Sequence, residues 1–239
     1  MQWLRKITYC SFLFGALCVC AALAQATRPG TSPDAAELGR SLVLEHREVE
    51  ALPYLEEALR GGDKSTELRD MTVKAAEAVA LRQRAAGHRD DALATLLAAR
   101  AAIPDSFTIL FDLGIVEDEL RLYRDAERAI TEARRIEPGD LKALYAEARV
   151  KMDLEDMPAA ERDMREYLKA RPEDPTAHYG LGRILEMTQR SEEAKTEFER
   201  SIALAPKQAE SYYQIGQIAL DHGDYATAQR ECRKALEHD

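Results

Sequence analysis

Pro104, Pro138, Pro172 and Pro206 stand 34 residues apart, and Ala58, Ala92, Ala126, Ala160, Ala194 and Ala228 keep the same interval. Two registers with one period define a tandem array, in which each unit buries its apolar face only against its neighbours. Within one unit, Tyr179, Leu181, Gly182, Ile184, Leu185 and Met187 form an apolar sector, and Ala194, Phe198, Ser201, Ile202 and Leu204 form a second one. That spacing predicts two amphipathic helices, over 176–189 and 191–204. Gln189 and Arg190 make the joint, Ser191 opens the second helix, and Pro206 ends it by lacking an N–H and restricting Ala205. The unit is therefore a helical hairpin, and the chain an all-α solenoid. Gly182 is expected to face Ala194, with axes roughly 8 Å apart, so that added bulk at either position is costly.

These residues carry a resemblance. The unit resembles the tetratricopeptide repeat, which has Leu-Gly at its seventh and eighth positions, Ala at 20, an aromatic at 24, Ala at 27 and Pro at 32; here these are Leu181, Gly182, Ala194, Phe198, Ser201 and Pro206. The match covers five repeats, 73–106, 107–140, 141–174, 175–208 and 209–239, with 35–72 as a degenerate first one whose Ala58 holds the register. The resemblance implies a right-handed α-solenoid of stacked hairpins that binds proteins. Departures are His178 where Trp is usual, Glu147 at an apolar position, Tyr167 at a small one, and no turn glycine in the three middle repeats.

Residues 1–26 hold Arg5 and Lys6, then the apolar run Ile7–Leu23, then Ala24-Gln25-Ala26, the layout of a secretory signal peptide cleaved after Ala26. The expected location is exported, periplasmic or secreted; a membrane contact follows only if the leader stays uncleaved as an anchor. Thr27–Asp34 reads as a Pro/Gly linker, 35–50 as a helix, and 53–59 as a second one stopped by Gly61-Gly62. Cys10, Cys18 and Cys20 lie in the leader, which leaves Cys232 alone and no internal disulfide. Without the leader the chain has 31 basic and 43 acidic residues, a balance that argues against nucleic acid as partner. The mature chain would end on Cys232, Ala235 and Leu236, which predicts either self-association through that end or a longer natural chain.

The five histidines make no H-x-x-x-H pair, and there is no P-loop, G-x-S-x-G or G-x-G-x-x-G motif, so no catalytic residue, metal site or cofactor is expected. What the residues offer is a surface. In the repeats that this chain resembles, first helices line the concave side. The fifth position there gives a column, Phe111, Tyr145, Tyr179 and Tyr213, with Arg149 and Arg183 one turn on. These six are the expected contacts for a protein or peptide segment, in a groove whose middle is less negative than the body. The family's clamp for a C-terminal carboxylate needs asparagines on first helices, and this chain has none. Two other readings stay open: an assembly factor acting through its ends and convex face, and the repeat portion of a larger, enzyme-containing protein.

Overall fold

Helical hairpins follow one another through all of residues 33–238, the part of the chain that this computed structural model describes. The signal peptide expected over 1–26, with Cys10, Cys18 and Cys20, most of the expected linker and the last residue lie outside it. The hairpins are α1 (Pro33–Leu44) with α2 (Glu48–Arg60), α3 (Thr66–Ala85) with α4 (Arg89–Ala102), α5 (Phe107–Glu119) with α6 (Tyr123–Ile136), α7 (Leu141–Asp153) with α8 (Met157–Ala170), α9 (Pro175–Met187) with α10 (Ser191–Leu204), and α11 (Ala209–Asp221) with α12 (Tyr225–His238). Among the described residues there is no strand. The architecture is an all-α helical repeat.

Each hairpin turns through one residue in the left-handed region: His46 (φ 59), Gly87 (φ 81), Arg121, Glu155 and Gln189 (φ 62 each) and Gly223 (φ 76). The turn glycines missing from the middle repeats are thus replaced without a change of path. Their Cβ atoms sit where L residues are disfavoured, at a cost on the order of 1 kcal/mol each.

The helix crossing adds a partner to the expected one. A Cβ on Gly182 would lie 2.6 Å from the Phe198 ring, so the side chain it would meet first is Phe198; at the equivalent Gly114 and Gly216 the carbonyl of the alanine twelve residues on, Ala126 or Ala228, is also near, at 3.3 and 3.5 Å. The same partner, sixteen residues on, recurs at Gly114 with Ile130 and at Gly216 with Cys232. Helical side chains lean toward the N-terminus of their helix, so the ring at 198 covers the surface one turn before its own Cα, where the glycine rises. Ala194 is fully buried beside it.

By this criterion the first hairpin is regular, and the register assigned to Ala58 is a coincidence. Gly39 meets Leu55 at 2.6 Å, again sixteen residues on, while Ala51 and Ala58 are fully buried at the two small positions that flank it. The unit therefore starts near residue 32. The offset is absorbed in α3, which has 20 residues where α5, α7, α9 and α11 have 13. Seven extra residues are close to two turns, at about 3.6 residues per turn, so α3 keeps its apolar face inward. Two boundaries also move. Pro33 and Asp34 belong to α1 rather than to a linker, and the helix read over 35–50 is broken by the left-handed His46; Pro53, which has no N–H to donate, lies inside α2.

The interior is a string of four apolar clusters along the stack rather than one core. Where Glu147 replaces an apolar residue, it is buried against Arg134 and 2.7 Å from Lys151 Nζ, which also donates to Asp163 (2.5 Å). Tyr167, in a small-residue slot, turns outward: its hydroxyl donates to Asp174 (2.7 Å) and its ring meets Tyr145 at 5.2 Å. Ser201 sits fully buried with its Oγ 2.8 Å from the Pro175 carbonyl and 2.7 Å from Gln208 Oε1, accepting from Ser211 (3.0 Å).

Candidate groove on the first-helix face

Successive first helices, α3 with α5, α5 with α7 and α7 with α9, pack directly on one another. Of the second helices only α2 and α4 come as close. A stack that is tight on one side and open on the other curves, with the first helices on the inside, and this is the face on which the column of aromatics lies.

The column is not uniform. Phe111 is half-buried and stacked on Phe107 at 5.8 Å, against the cluster of Ala126, Ile130, Ala146 and Val150. Tyr145 and Tyr179 are half-buried against the next cluster, with Tyr167 and Phe198 as ring partners at 5.2 and 5.8 Å. Burial raises the pKa of the Tyr145 hydroxyl, and burial together with the bond to Asp174 pushes that of Tyr167 up to about 12. Tyr213, by contrast, is 50% exposed. Tyr179 and Tyr213 meet at one recess of about 550 Å³, whose far wall is Cys232, Ala235 and Leu236 of α12. The structure thus joins two of the four aromatics in a pocket and uses the other two chiefly in packing.

The two arginines also part company. Arg149 donates to Asp118 Oδ2 (2.8 Å) on the preceding first helix, whereas Arg183 has no hydrogen bond or ion pair among the described residues. Arg84 is committed to Glu119, with its Nε 3.3 Å from Oε2. The groove is consequently less positive than its residue count implied. Its carboxylates are the unsatisfied groups. Burial, reinforced by Glu77 and opposed by Arg84 and Lys142, lifts the pKa of Asp112 to about 6. Burial, with Asp153 and Glu119 reinforcing and Arg149 opposing, raises that of Asp118, whose Oδ1 is buried without a hydrogen-bond partner. The sequence reading missed Asp112 because it took only the outward positions of the repeat, and missed Tyr167 because that side chain comes from a second helix. The departure from a small residue at 167 was the available signal.

His178 is buried with both ring nitrogens engaged, Nδ1 2.6 Å from Glu197 Oε2 and Nε2 2.9 Å from the Pro172 carbonyl, which makes it part of the hairpin's packing. Among the described residues no group of three or more His, Cys, Asp or Glu is placed to hold a metal ion, and no helix is long and apolar enough to cross a membrane.

Two family models, each described as tetratricopeptide repeat, match residues 145–209 and 197–230. Over residues 145–230 the chain carries tetratricopeptide repeats. Solved structures of such repeats share its fold. A MamA structure (residue 41 to the end) from Desulfovibrio magneticus RS-1 is 20% identical with a TM-score of 0.62, covering 70% of this chain and 94% of that one. A tetratricopeptide repeat protein from Parabacteroides merdae ATCC 43184 is 19% identical with a TM-score of 0.64, over 86% of this chain and 79% of that one. YrrB, described as a TPR protein with an unusual peptide-binding site, is 18% identical with a TM-score of 0.57, over 77% and 93%. No curated protein matches the sequence significantly. At these identities the likeness establishes the fold.

Proposed function

We propose that this tetratricopeptide repeat chain is a non-catalytic scaffold, exported to the periplasm or secreted, that holds a segment of another protein on its first-helix face. The observation that carries the reading is the recess between Tyr179, Tyr213 and α12, with the unpaired Arg183 on the same helix as Tyr179. Tyr and Arg are the residues most often found at interface hot spots, because a large rigid ring or planar donor fork loses few rotamers on binding. The peptide-binding description printed for YrrB gives the same use to a similar fold. The leader sequence supports export.

A photoreactive phenylalanine analogue placed at 213, at 183 and, on a second helix, at 200 tests the reading in cells that make the full chain. Crosslinks to another protein are expected from 213 and 183; capture from 200 alone would move the interface to the outer face. Intact mass of the exported form, expected to begin at Thr27, checks the leader. A second reading is favoured by one observation: Leu220, Tyr225 and Leu236 on the last hairpin are 47, 72 and 79% exposed, a patch that suits a second copy of the chain. Sedimentation of a Tyr225→Ser/Leu236→Ser variant separates it, since a dimer made by this patch should become monomeric.

A further inference from the structure

Three of the four rings in the aromatic column are already paired inside the chain. Phe111 stacks on Phe107 at 5.8 Å, Tyr145 meets Tyr167 at 5.2 Å, and Tyr179 meets Phe198 at 5.8 Å. Tyr213 has no ring partner among the described residues, and half of its surface is exposed. The second helix of its hairpin holds the reason. Partner rings come from two places there: Phe198 stands nineteen residues after Tyr179, and Tyr167 twenty-two after Tyr145. The same places after Tyr213 hold Cys232 and Ala235, which carry no ring. Both line the recess of about 550 Å³ beside Tyr213, together with the exposed Leu236. The backbone below is that of a hairpin able to take a larger residue. A Cβ on Gly216 would lie 2.7 Å from Cys232 Sγ, as one on Gly182 would lie 2.6 Å from the Phe198 ring, so the two crossings are equivalent. In the first of them the ring at 198 is completely buried. A thiol in its place leaves the volume of a ring unfilled, and that volume opens on the face where Tyr179 and Tyr213 meet.

Resting on the groove reading above, we propose that the partner supplies the missing ring: the segment held on this face inserts one aromatic side chain between Tyr213 and the wall of Cys232, Ala235 and Leu236. That ring makes with Tyr213 the pair that Phe198 makes with Tyr179, and it takes Leu236 out of water. Aromatic rings favour tilted contacts with centroids about 4.5–7 Å apart, and such a pair adds to what the buried area alone contributes. The chemistry of the occupant is thus given by the chain itself, which fills the equivalent place one hairpin earlier with Phe198 and, two hairpins earlier, covers the equivalent tyrosine with Tyr167. A rigid ring seated in an apolar recess is also the usual form of an interface hot spot, because it buries a large area and freezes few rotors.

Random peptides of about 12 residues displayed on phage and selected against the full chain test this. Selected peptides are expected to share one aromatic residue, and its replacement by Ala should weaken binding about thirtyfold, the loss that marks a hot spot. Two variants place the ring on the chain itself: Cys232→Phe copies Phe198, and Ala235→Tyr copies Tyr167. Each should weaken the selected peptides to a similar extent. Cys232→Phe should also raise the melting temperature, since it fills the recess from within, and weaker binding by a more stable chain is a combination that damage to the fold would not produce. Peptides that need Tyr213 and Arg183 but share no aromatic residue, or that bind both filled variants as tightly as the parent, would overturn the ring assignment and leave the groove standing. A parent dimer that Cys232→Phe turns into a monomer would give the recess to a second copy of the chain and overturn it as well. Failure to select any peptide, or selection of peptides indifferent to Tyr213→Ala and Arg183→Ala, would remove both the ring and the groove.

Discussion

Hairpins α7–α8 and α9–α10 are built on the same backbone yet filled with opposite chemistry. In α9–α10 the crossing is apolar, with Phe198 laid over Gly182 and Ile184 and Leu185 buried around it. In α7–α8, and in α5 against it, four acidic side chains are buried: Glu117, Asp118, Glu147 and Asp163. Glu147 and Asp163 are paired through Lys151; Glu117 is not, and burial with Asp125 and Glu132 nearby drives its pKa up to about 7 against Arg100 and Arg128. The difference teaches that the hairpin geometry is held by the small residues and turns common to both, while the large interior positions accept either burial of a ring or a closed set of charges.

The largest expected effect is at the apolar crossing. Phe198→Ala should cost about 4 kcal/mol by chemical denaturation, the usual loss for a buried ring. In a Phe198→Leu background Gly182→Ala should be tolerated, although alone it is destabilising; equal effects in both backgrounds would show that the two residues do not meet. Next, Glu147→Ala should cost about 3 kcal/mol, since it leaves the partly buried Arg134 without its carboxylate and Lys151 with Asp163 alone. Replacing Glu147, Lys151 and Asp163 together by Leu, Met and Leu should cost less than the single change, which would bring the charged hairpin close to its apolar neighbour.

Glu117→Gln should stabilise by about 2 kcal/mol at pH 8 and by almost nothing near pH 4. The raised folded-state pKa means that Glu117 contributes stability below its unfolded value of 4.5, and loses it as pH rises through about 7; a neutral amide has no such loss. A stability difference that does not change across this range would contradict the unpaired burial. The smallest effect is a control on the shared backbone. Glu155→Gly and Gln189→Gly should each raise stability by about 0.5–1 kcal/mol, because both hairpins turn through a left-handed residue of φ 62. Unequal gains would mean that the turns differ after all.

Much of this molecule was legible in one dimension because its contacts are local. Four of the six described hairpins pair a glycine with the residue sixteen on, and every stack pairs neighbours in sequence, so a period of 34 residues in Pro and Ala already implies the helices, their order and an all-α solenoid. Apolar spacing, with Ser191 and Pro206 as signals, predicts helices over 176–189 and 191–204, and they are found over 175–187 and 191–204. Periodicity also misled: Ala58 falls on the 34-residue lattice by coincidence, and only the meeting of Gly39 with Leu55 reveals that the first unit is out of phase by the two turns added to α3.

The candidate site divides the same way. Sequence places Phe111, Tyr145, Tyr179 and Tyr213 at equivalent points, because equal spacing in a repeat becomes a line in space. Tertiary structure decides how much of each ring is left to bind with: Tyr167 reaches across to cover Tyr145, and Tyr213 remains half open beside Leu236. It decides the charges too. Arg149 and Arg183 have the same place in their repeats, but Asp118 stands across from the first, and apolar Met152 stands at the matching place before the second. Composition determined the number of charges on this chain; only the approach of neighbouring helices, which sets distance and desolvation, determined which of them are neutralised and which are not.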